Sequence, residues 1–250
     1  MIIKKLRCRI AFREKQKRAF TKISNLFLDL KIERIRKTKR VYQPAFLPQL
    51  DWKLQISDSK KVSLGLQLTS ITSRIGERES VLDIGSNLGF LSLNIARQFP
   101  QSIVWGIEPD EELVEAANRS AEKAKMFNAK FQALEINPLN VDSLPTFDNV
   151  LMLSVYQQWV RSYGIDESHR MLKIVLKKTK KRMFFSMATT NGSPKILKYF
   201  PNMGASLDES DNWIIDNILR FHKFEVGILG RHETTYESTL PRTLFLLTRK

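Results

Sequence analysis

The sequence predicts an α/β fold: a doubly wound, mostly parallel seven-stranded sheet with a C-terminal antiparallel hairpin, preceded by a basic helical arm. Three features predict it. The stretch Val81-Leu-Asp-Ile-Gly-Ser-Asn-Leu-Gly-Phe-Leu-Ser92 passes from a buried strand through a glycine turn into a helix continuing to about Phe99. Short apolar runs then alternate with helix-period runs as far as Met187. Two late strands, Phe224–Leu229 and Thr243–Leu247, follow the fifth in succession.

At the amino end, 250 residues with 42% apolar content suffice for one substantial core and an appendage. The formal charge is +15 in all. Residues 1–40 hold 15 Lys and Arg against Glu14, Asp29 and Glu33, a net of +12; the rest hold 26 against 23, a net of +3. The basic character therefore belongs to an arm, and the division expected is 1–48 for arm and connector, 49–250 for the main domain. Phe20, Ile23, Phe27 and Leu30 share one helical face, with Leu26 beside them and Lys17, Arg18, Lys22, Lys31, Arg34 and Arg36 interspersed or flanking. Such a helix docks its apolar stripe on the main domain, lies on an anionic membrane surface, or grips a phosphate backbone.

No apolar core of signal-peptide length follows the first cations, and no stretch is long and apolar enough to cross a bilayer. A single cysteine, Cys8, gives no disulfide framework. The expected location is cytoplasmic, with residues 1–40 in peripheral contact with the inner membrane surface as one reading of the arm.

Arg40 to Pro48 is a proline-punctuated connector. Val62, Leu64, Leu66, Leu68 and Ile71 favour a helix from Lys61 to about Ile75, although their alternation leaves a strand open. In the turn that follows the first strand, Gly85 and Gly89 are the residue type needed where a backbone bends tightly and admits a ligand without an intervening Cβ. With the free N–H groups of the new helix, they form a cradle for a polar or anionic ligand. Ser102–Ile107 is the second strand and ends at Glu108, about 20 residues past the turn, where an acid can accept hydrogen bonds from two ribose hydroxyls. Asp110 directly precedes the acid-rich start of a helix over Glu111–Phe127 and reads as its N-cap.

Asp83, Gly85 and Gly89 match the acid-x-Gly-x-(Gly)-x-Gly motif, and the chain resembles the class I S-adenosylmethionine-dependent methyltransferases, with Asn87 where a middle glycine is common. The resemblance covers residues 62–250 and is strongest from 80 to 160. It implies S-adenosylmethionine as cofactor, bound by Asp83, Gly85, Ser86, Asn87, Gly89, Glu108, Glu135, Ile136 and Ser154. Of these, Glu135 and Ile136 follow the short third strand Lys130–Leu134, where related enzymes contact the adenine. In those enzymes the segment before the first strand closes over the cofactor, a role open to Tyr42 and Gln43 here. The two late strands match the antiparallel hairpin that closes that family's sheet.

The fourth strand is Phe147–Tyr156, and in a doubly wound sheet its carboxyl end faces the ligand crevice. Tyr156, Gln157, Gln158 and Trp159 are therefore candidates for lining the acceptor site. None carries the signature of an obligatory base, which a methyl group already activated on a sulfonium does not demand. Neither the Asn/Asp-Pro-Pro-aromatic motif nor a Pro-Cys nucleophile is present, which disfavours planar amines and C5-pyrimidines as acceptors. A helix over Glu167–Lys178 leads to the fifth strand, Arg182–Met187, and the basic run Lys177–Arg182 between them reads as a solvated turn at the amino end of that strand. Thr189–Leu207 leaves the strand on the ligand side and is the expected substrate-recognition loop, before a helix over Ser210–Phe221. His169, His222 and His232 have no ligand spacing, so no metal is expected.

The resulting expectation is a methyltransferase acting on a small molecule or a glycan/lipid intermediate. Two alternatives stand beside it. One is an RNA methyltransferase, because Asp-Ile-Gly-x-Asn-x-Gly and Leu-Ser-Val followed by Trp159 are similar to the Bicoid-interacting family, whose Lys-Trp-Ile-His-Leu-Asn continuation is replaced here. The other is a non-catalytic module that kept the fold. The membrane reading of the arm predicts salt-sensitive binding of the intact chain to anionic vesicles, lost on removing residues 1–40; absence of binding at low salt refutes it.

Overall fold

The apolar runs of the sequence pair side by side into one seven-stranded sheet of order β3-β2-β1-β4-β5-β7-β6. The structure is a computed structural model, and it describes residues 34–35, 46, 59–189, 197–232 and 241–250. The chain divides into units Met1–Val41 and Tyr42–Lys250. The expected arm helix, Tyr42, Gln43 and residues 190–196 of the expected recognition loop lie outside the described residues.

In chain order the elements are α1 (Ser59–Thr72), β1 (Val81–Ile84), α2 (Phe90–Gln98), β2 (Val104–Glu108), α3 (Glu111–Lys123), β3 (Ala129–Ala133), β4 (Phe147–Leu153), α4 (Tyr156–Tyr163), α5 (Ile165–Lys178), β5 (Thr179–Ser186), α6 (Leu207–Ile214), β6 (Phe224–His232) and β7 (Arg242–Arg249). β1 to β5 run parallel, while β7 is antiparallel to both β5 and β6. This is the doubly wound, mostly parallel sheet with a C-terminal hairpin that the sequence predicts.

The central strands are mostly apolar because both of their faces are covered. Leu82, Ile84, Val150, Met152, Phe185 and Phe245 belong to a core shared with α4, α5 and α6. Val81, Leu151, Phe184 and Leu244 point the other way, into a core shared with α1, α2 and α3. The edge strand β3 alternates instead, with Ala129 and Phe131 buried and Lys130 and Gln132 exposed.

Backbone geometry moves several boundaries. The ambiguous run before β1 is a helix. α3 stops at Lys123 rather than Phe127 because Lys125 turns to a φ of 55°, which leaves Phe127 94% exposed. β4 stops at Leu153 because Ser154 takes a φ of 63°, so Tyr156 opens a helix instead of ending a strand. α6 begins at Leu207 rather than Ser210, since Ser206 and Glu209 form a reciprocal capping box. Its last turn widens into a π-turn over Ile215–Leu219.

The basic run Lys177–Arg182 is not the solvated turn expected of it. α5 passes directly into β5, and two of the cations are engaged at the amino edge of the sheet. Glu79, only 8% exposed, receives Lys181 Nζ on one carboxylate oxygen at 2.9 Å. Its other oxygen accepts from Arg182 Nη1, Asn149 Nδ2 and the Gly76 N–H, each also at 2.9 Å. Beside it Asp148 accepts from the N–H and hydroxyl of Ser80 at 2.9 and 2.8 Å. Burial raises the Glu79 pKa, but the Gly76, Asn149 and Lys181 hydrogen bonds with the Arg182 charge outweigh it and hold the carboxyl at about 2.

A depressed carboxyl contributes stability above its unfolded pKa and loses it as pH falls through the folded one. We expect wild-type stability to decline from about pH 4.5 toward pH 2 in part through this group. Glu79→Ala strands its buried donors, at a cost of ~1–3 kcal/mol per group left unpaired. Urea titrations should show a lower midpoint for the variant at pH 7 and a narrower gap near pH 2; equal midpoints at pH 7 refute the assignment.

Candidate functional site

Strand order reverses between β1 and β4, and such a switch opens a crevice at the carboxyl ends of the strands. The turn after β1 forms one side of it. The N–H groups of Gly85 and Ser86 both donate to the Ile107 carbonyl, at 2.7 and 3.0 Å, so the turn is fastened to the end of β2. Gly85 and Gly89 have φ of 78° and 74°, in the left-handed region. A Cβ at Gly85 would lie 2.6 Å from Val155 Cγ2, and one at Gly89 2.6 Å from the Phe131 ring. Conformation and space both exclude larger residues at these two places.

Glu108 ends β2 with its carboxylate turned onto this turn. One oxygen accepts from the Asn87 N–H at 3.0 Å, the other from the Asp110 N–H at 3.3 Å. Asp110 caps α3, accepting from the N–H groups of Glu112 and Leu113 at 3.0 and 3.3 Å. Asn87 has a φ of 52°, and the fully buried Ser86 hydroxyl has no hydrogen-bond partner.

Beneath the turn Asp83 is 2% exposed and accepts from the Ser92 hydroxyl at 2.6 Å, joining β1 to the first turns of α2. Burial pushes its carboxyl up to about 6, against the Ser92 hydrogen bond and with help from the Glu108 charge. Glu108 is raised as well, chiefly by burial, its two backbone donors opposing. Two neighbouring strands thus end in carboxyls that hold their protons more tightly than carboxyls in water.

The other predicted residues divide between crevice wall and core. Glu135 is exposed just past β3 and accepts the Tyr163 phenolic hydrogen at 3.0 Å, whereas Ile136 is buried beside it. Ser154 donates its N–H to the Ser186 carbonyl at 2.8 Å, and its hydroxyl accepts from Arg242 at the start of β7. Gln157 is buried and its side-chain oxygen accepts from the Ala188 N–H at 3.1 Å, tying α4 to the segment leaving β5. Gln158 is half-buried. Trp159 is buried in the core. Tyr156 is wholly buried, its ring edge-on to Phe185, its hydroxyl unpartnered and its pKa raised, mainly by burial.

Among the described residues no group of His, Cys, Asp or Glu is arranged to hold a metal ion. His169 stacks on Phe221 with ring centres 5.4 Å apart, and burial lowers its pKa. His232 is buried with both ring nitrogens unpartnered and is likewise lowered. Sequence reasoning missed Ser92, Tyr163, Ala188 and Arg242. Ser92, nine residues past Asp83 and one turn into the helix, had a readable signal in that spacing; the others meet their partners only through the fold.

A family model described as a methyltransferase domain matches residues 75–228, from the turn after α1 into β6. The chain belongs to this methyltransferase-domain family. Its fold is that of the class I methyltransferases. Similar solved structures include the bifunctional kinase-methyltransferase WbdD, at 22% identity and a TM-score of 0.66 over 88% of this chain and 45% of that one. Another is magnesium protoporphyrin IX methyltransferase (ChlM) from Synechocystis PCC 6803 with bound SAM, at 17% identity and a TM-score of 0.55 over 92% of this chain and 96% of that one. A curated relative, protein RP028 of Rickettsia prowazekii (strain Madrid E), is 32% identical over 84 residues, 34% of this chain. This methyltransferase-domain chain matches a third of the length of that relative and under half of WbdD.

A carboxyl at about 6 instead of 3.8 binds a proton more tightly folded than unfolded. Between those two values stability falls as pH rises, leaving a penalty on the order of 3 kcal/mol at neutral pH. Asp83→Asn keeps an acceptor for Ser92 without the charge. It should raise the thermal midpoint at pH 7 and lose that advantage below about pH 4; a variant less stable at pH 7 contradicts the buried-charge account.

Proposed function

We propose that this chain binds S-adenosylmethionine in the crevice at the carboxyl ends of β1, β2 and β4 and transfers its methyl group to a small molecule or a glycan/lipid intermediate. The observation that carries the proposal is Glu108, whose half-buried carboxylate is held over the Gly85–Gly89 turn by the Asn87 N–H and raised in pKa. A carboxylate in that condition is suited to accept from ribose hydroxyls, which restore the hydrogen bonding that burial removed. Membership of the methyltransferase-domain family supports the same cofactor.

Asp83, Gly85, Ser86, Asn87, Gly89, Glu108, Glu135, Ile136 and Ser154 would hold the cofactor. When bound, it supplies a methyl group already activated on a sulfonium. What remains for the protein is alignment. The glycine turn would admit the ligand close to the backbone, while Glu135 and Ile136 would flank the base. Ser154 and Gln157 lock the ends of β4 and β5 together through Ser186 and Ala188, so that the wall facing the acceptor is held in one geometry. Gln158, half-buried on the first turn of α4, is the candidate with a side chain open to an acceptor. Among similar structures, ChlM is described as acting on magnesium protoporphyrin IX, which favours a small-molecule acceptor here.

Calorimetry with S-adenosylmethionine should show binding to the intact chain, weakened by about 10- to 100-fold in Glu108→Ala as a charge-assisted contact is lost; equal affinities would remove Glu108 from the site. Methyl transfer from labelled cofactor into fractionated cell extract should survive ribonuclease treatment. Label that disappears with ribonuclease would move the acceptor to RNA, and cofactor binding without any transfer would favour a non-catalytic module.

A further inference from the structure

The edge of the sheet away from the crevice gathers cations from three stretches of chain. Residues 173–182, 220–225 and 247–250 hold ten Lys and Arg and one acid, Glu225. Arg249, at the end of β7, donates from Nε to the Thr179 carbonyl and from Nη2 to the Leu176 carbonyl, each at 2.9 Å, and its guanidinium lies 4.8 Å from the centre of the Phe224 ring. The Lys250 N–H donates to the Lys223 carbonyl at 3.0 Å. The junction of α5 with β5, the start of β6 and the end of β7 thus meet in one place.

Four of these cations have partners within the protein: Lys181 and Arg182 on Glu79, Arg220 on Asp216, and Arg249 on the two carbonyls. Lys177, Lys180 and Lys223 are exposed and Lys178 is half-buried, and none of the four forms an ion pair among the described residues. Asp148 feels the charge of Lys180, but its hydrogen bonds come from Ser80. Lysines at a helix end ordinarily answer its dipole and its last carbonyls. Here Arg249 already takes the Leu176 and Thr179 carbonyls, and Lys180 and Lys223 lie beyond the helix. Like charges held together in this way repel, a cost that a polyanionic surface reverses.

We infer that the face formed by Lys177, Lys178, Lys180 and Lys223 docks on an anionic lipid surface. All three arginines of these stretches are occupied by protein groups, so what the face presents is ammonium, a compact charge suited to a diffuse layer of head groups rather than to bidentate recognition of single phosphates. Its aromatics are not offered to nucleic-acid bases, since Phe224 is buried and Phe221 stacks on His169. The inference does not need the cofactor assignment; joined to it, it orients the crevice. β5 runs eight residues, about 26 Å, from this edge to the other. A chain docked by its lysine face holds the crevice that far from the surface, where it meets a soluble acceptor or the far end of a glycan rather than a head group of the same bilayer.

The test uses the full chain and vesicles of phosphatidylcholine with and without phosphatidylglycerol, sedimented at low and at physiological salt. The chain should partition onto the anionic vesicles and leave them as salt rises. Lys177→Gln, Lys180→Gln and Lys223→Gln together should weaken partitioning by about 5-fold per lysine, while calorimetry shows S-adenosylmethionine affinity unchanged. Arg119→Gln, Arg161→Gln and Lys198→Gln, exposed positions outside these stretches, remove the same charge and should weaken partitioning by less than about 3-fold in all. Equal losses in the two triple variants, or a wild type that does not bind anionic vesicles, overturn the inference. So does a wild type that binds a single-stranded RNA oligonucleotide through the three lysines and ignores the vesicles, which assigns the face to nucleic acid. Vesicle binding needs no bound cofactor, so the calorimetry tells a failure here from a failure of the cofactor assignment.

Discussion

Two carboxylates, one buried and one half-buried, near the ends of adjacent parallel strands set the terms for the rest of the crevice. Asp83 on β1 is 2% exposed and takes its hydrogen bond from Ser92 on α2; Glu108 on β2 takes its two from the backbone of Asn87 and Asp110. The glycine turn therefore hangs between a helix fastened from below and a strand end fastened from the side. Two of its left-handed residues, Gly85 and Gly89, carry no Cβ, and Val155 and Phe131 occupy the space one would need. Both carboxyls titrate high because these few neutral donors do not replace the water that burial removes.

The opposite edge of the sheet handles acid in the opposite way. Glu79 and Asp148 are held below the usual carboxylate range because Lys181, Arg182, Asn149 and Ser80 converge on them. Carboxylates at the amino edge are saturated with donors, while those at the carboxyl edge are left short of them. The same residue type thus fastens strands together at one end and remains receptive at the other. The basic run Lys177–Arg182 belongs to the first pattern, since two of its members are consumed by Glu79 at the edge away from the crevice.

Local signals made the fold and half of the crevice legible. Continuous apolar runs mark strands covered on both faces, and Asp83, Gly85, Gly89 and Glu108 lie within 26 residues of chain, so their spacing survives without any knowledge of tertiary contacts. Element ends were less legible where a single dihedral decides them: neither Ser154 nor Lys125 is a residue type that announces a left-handed backbone. Ser206 and Glu209 spell a capping box, which sets the start of α6 ahead of the first residue of its apolar period. Trp159 and Tyr156 illustrate a different limit, because an aromatic near a strand end reads alike whether it faces a crevice or a core.

The side of the crevice beyond β4 is assembled from contacts distant in sequence. Ser154 meets Ser186 and Arg242, Gln157 meets Ala188, and Tyr163 meets Glu135, at separations from 28 to 88 residues. Together these four bonds join the segment following β4 to three neighbours: the end of β5, the start of β7 and the tip of β3. The ten residues from Ser154 to Tyr163 consequently act as a common strut, and the two halves of the crevice are mechanically linked through α4. A shift in the packing of this strut at its Gln157 end bears on Glu135 at the other, because the eight-residue helix is bonded at one end to the segment leaving β5 and at the other to the segment past β3.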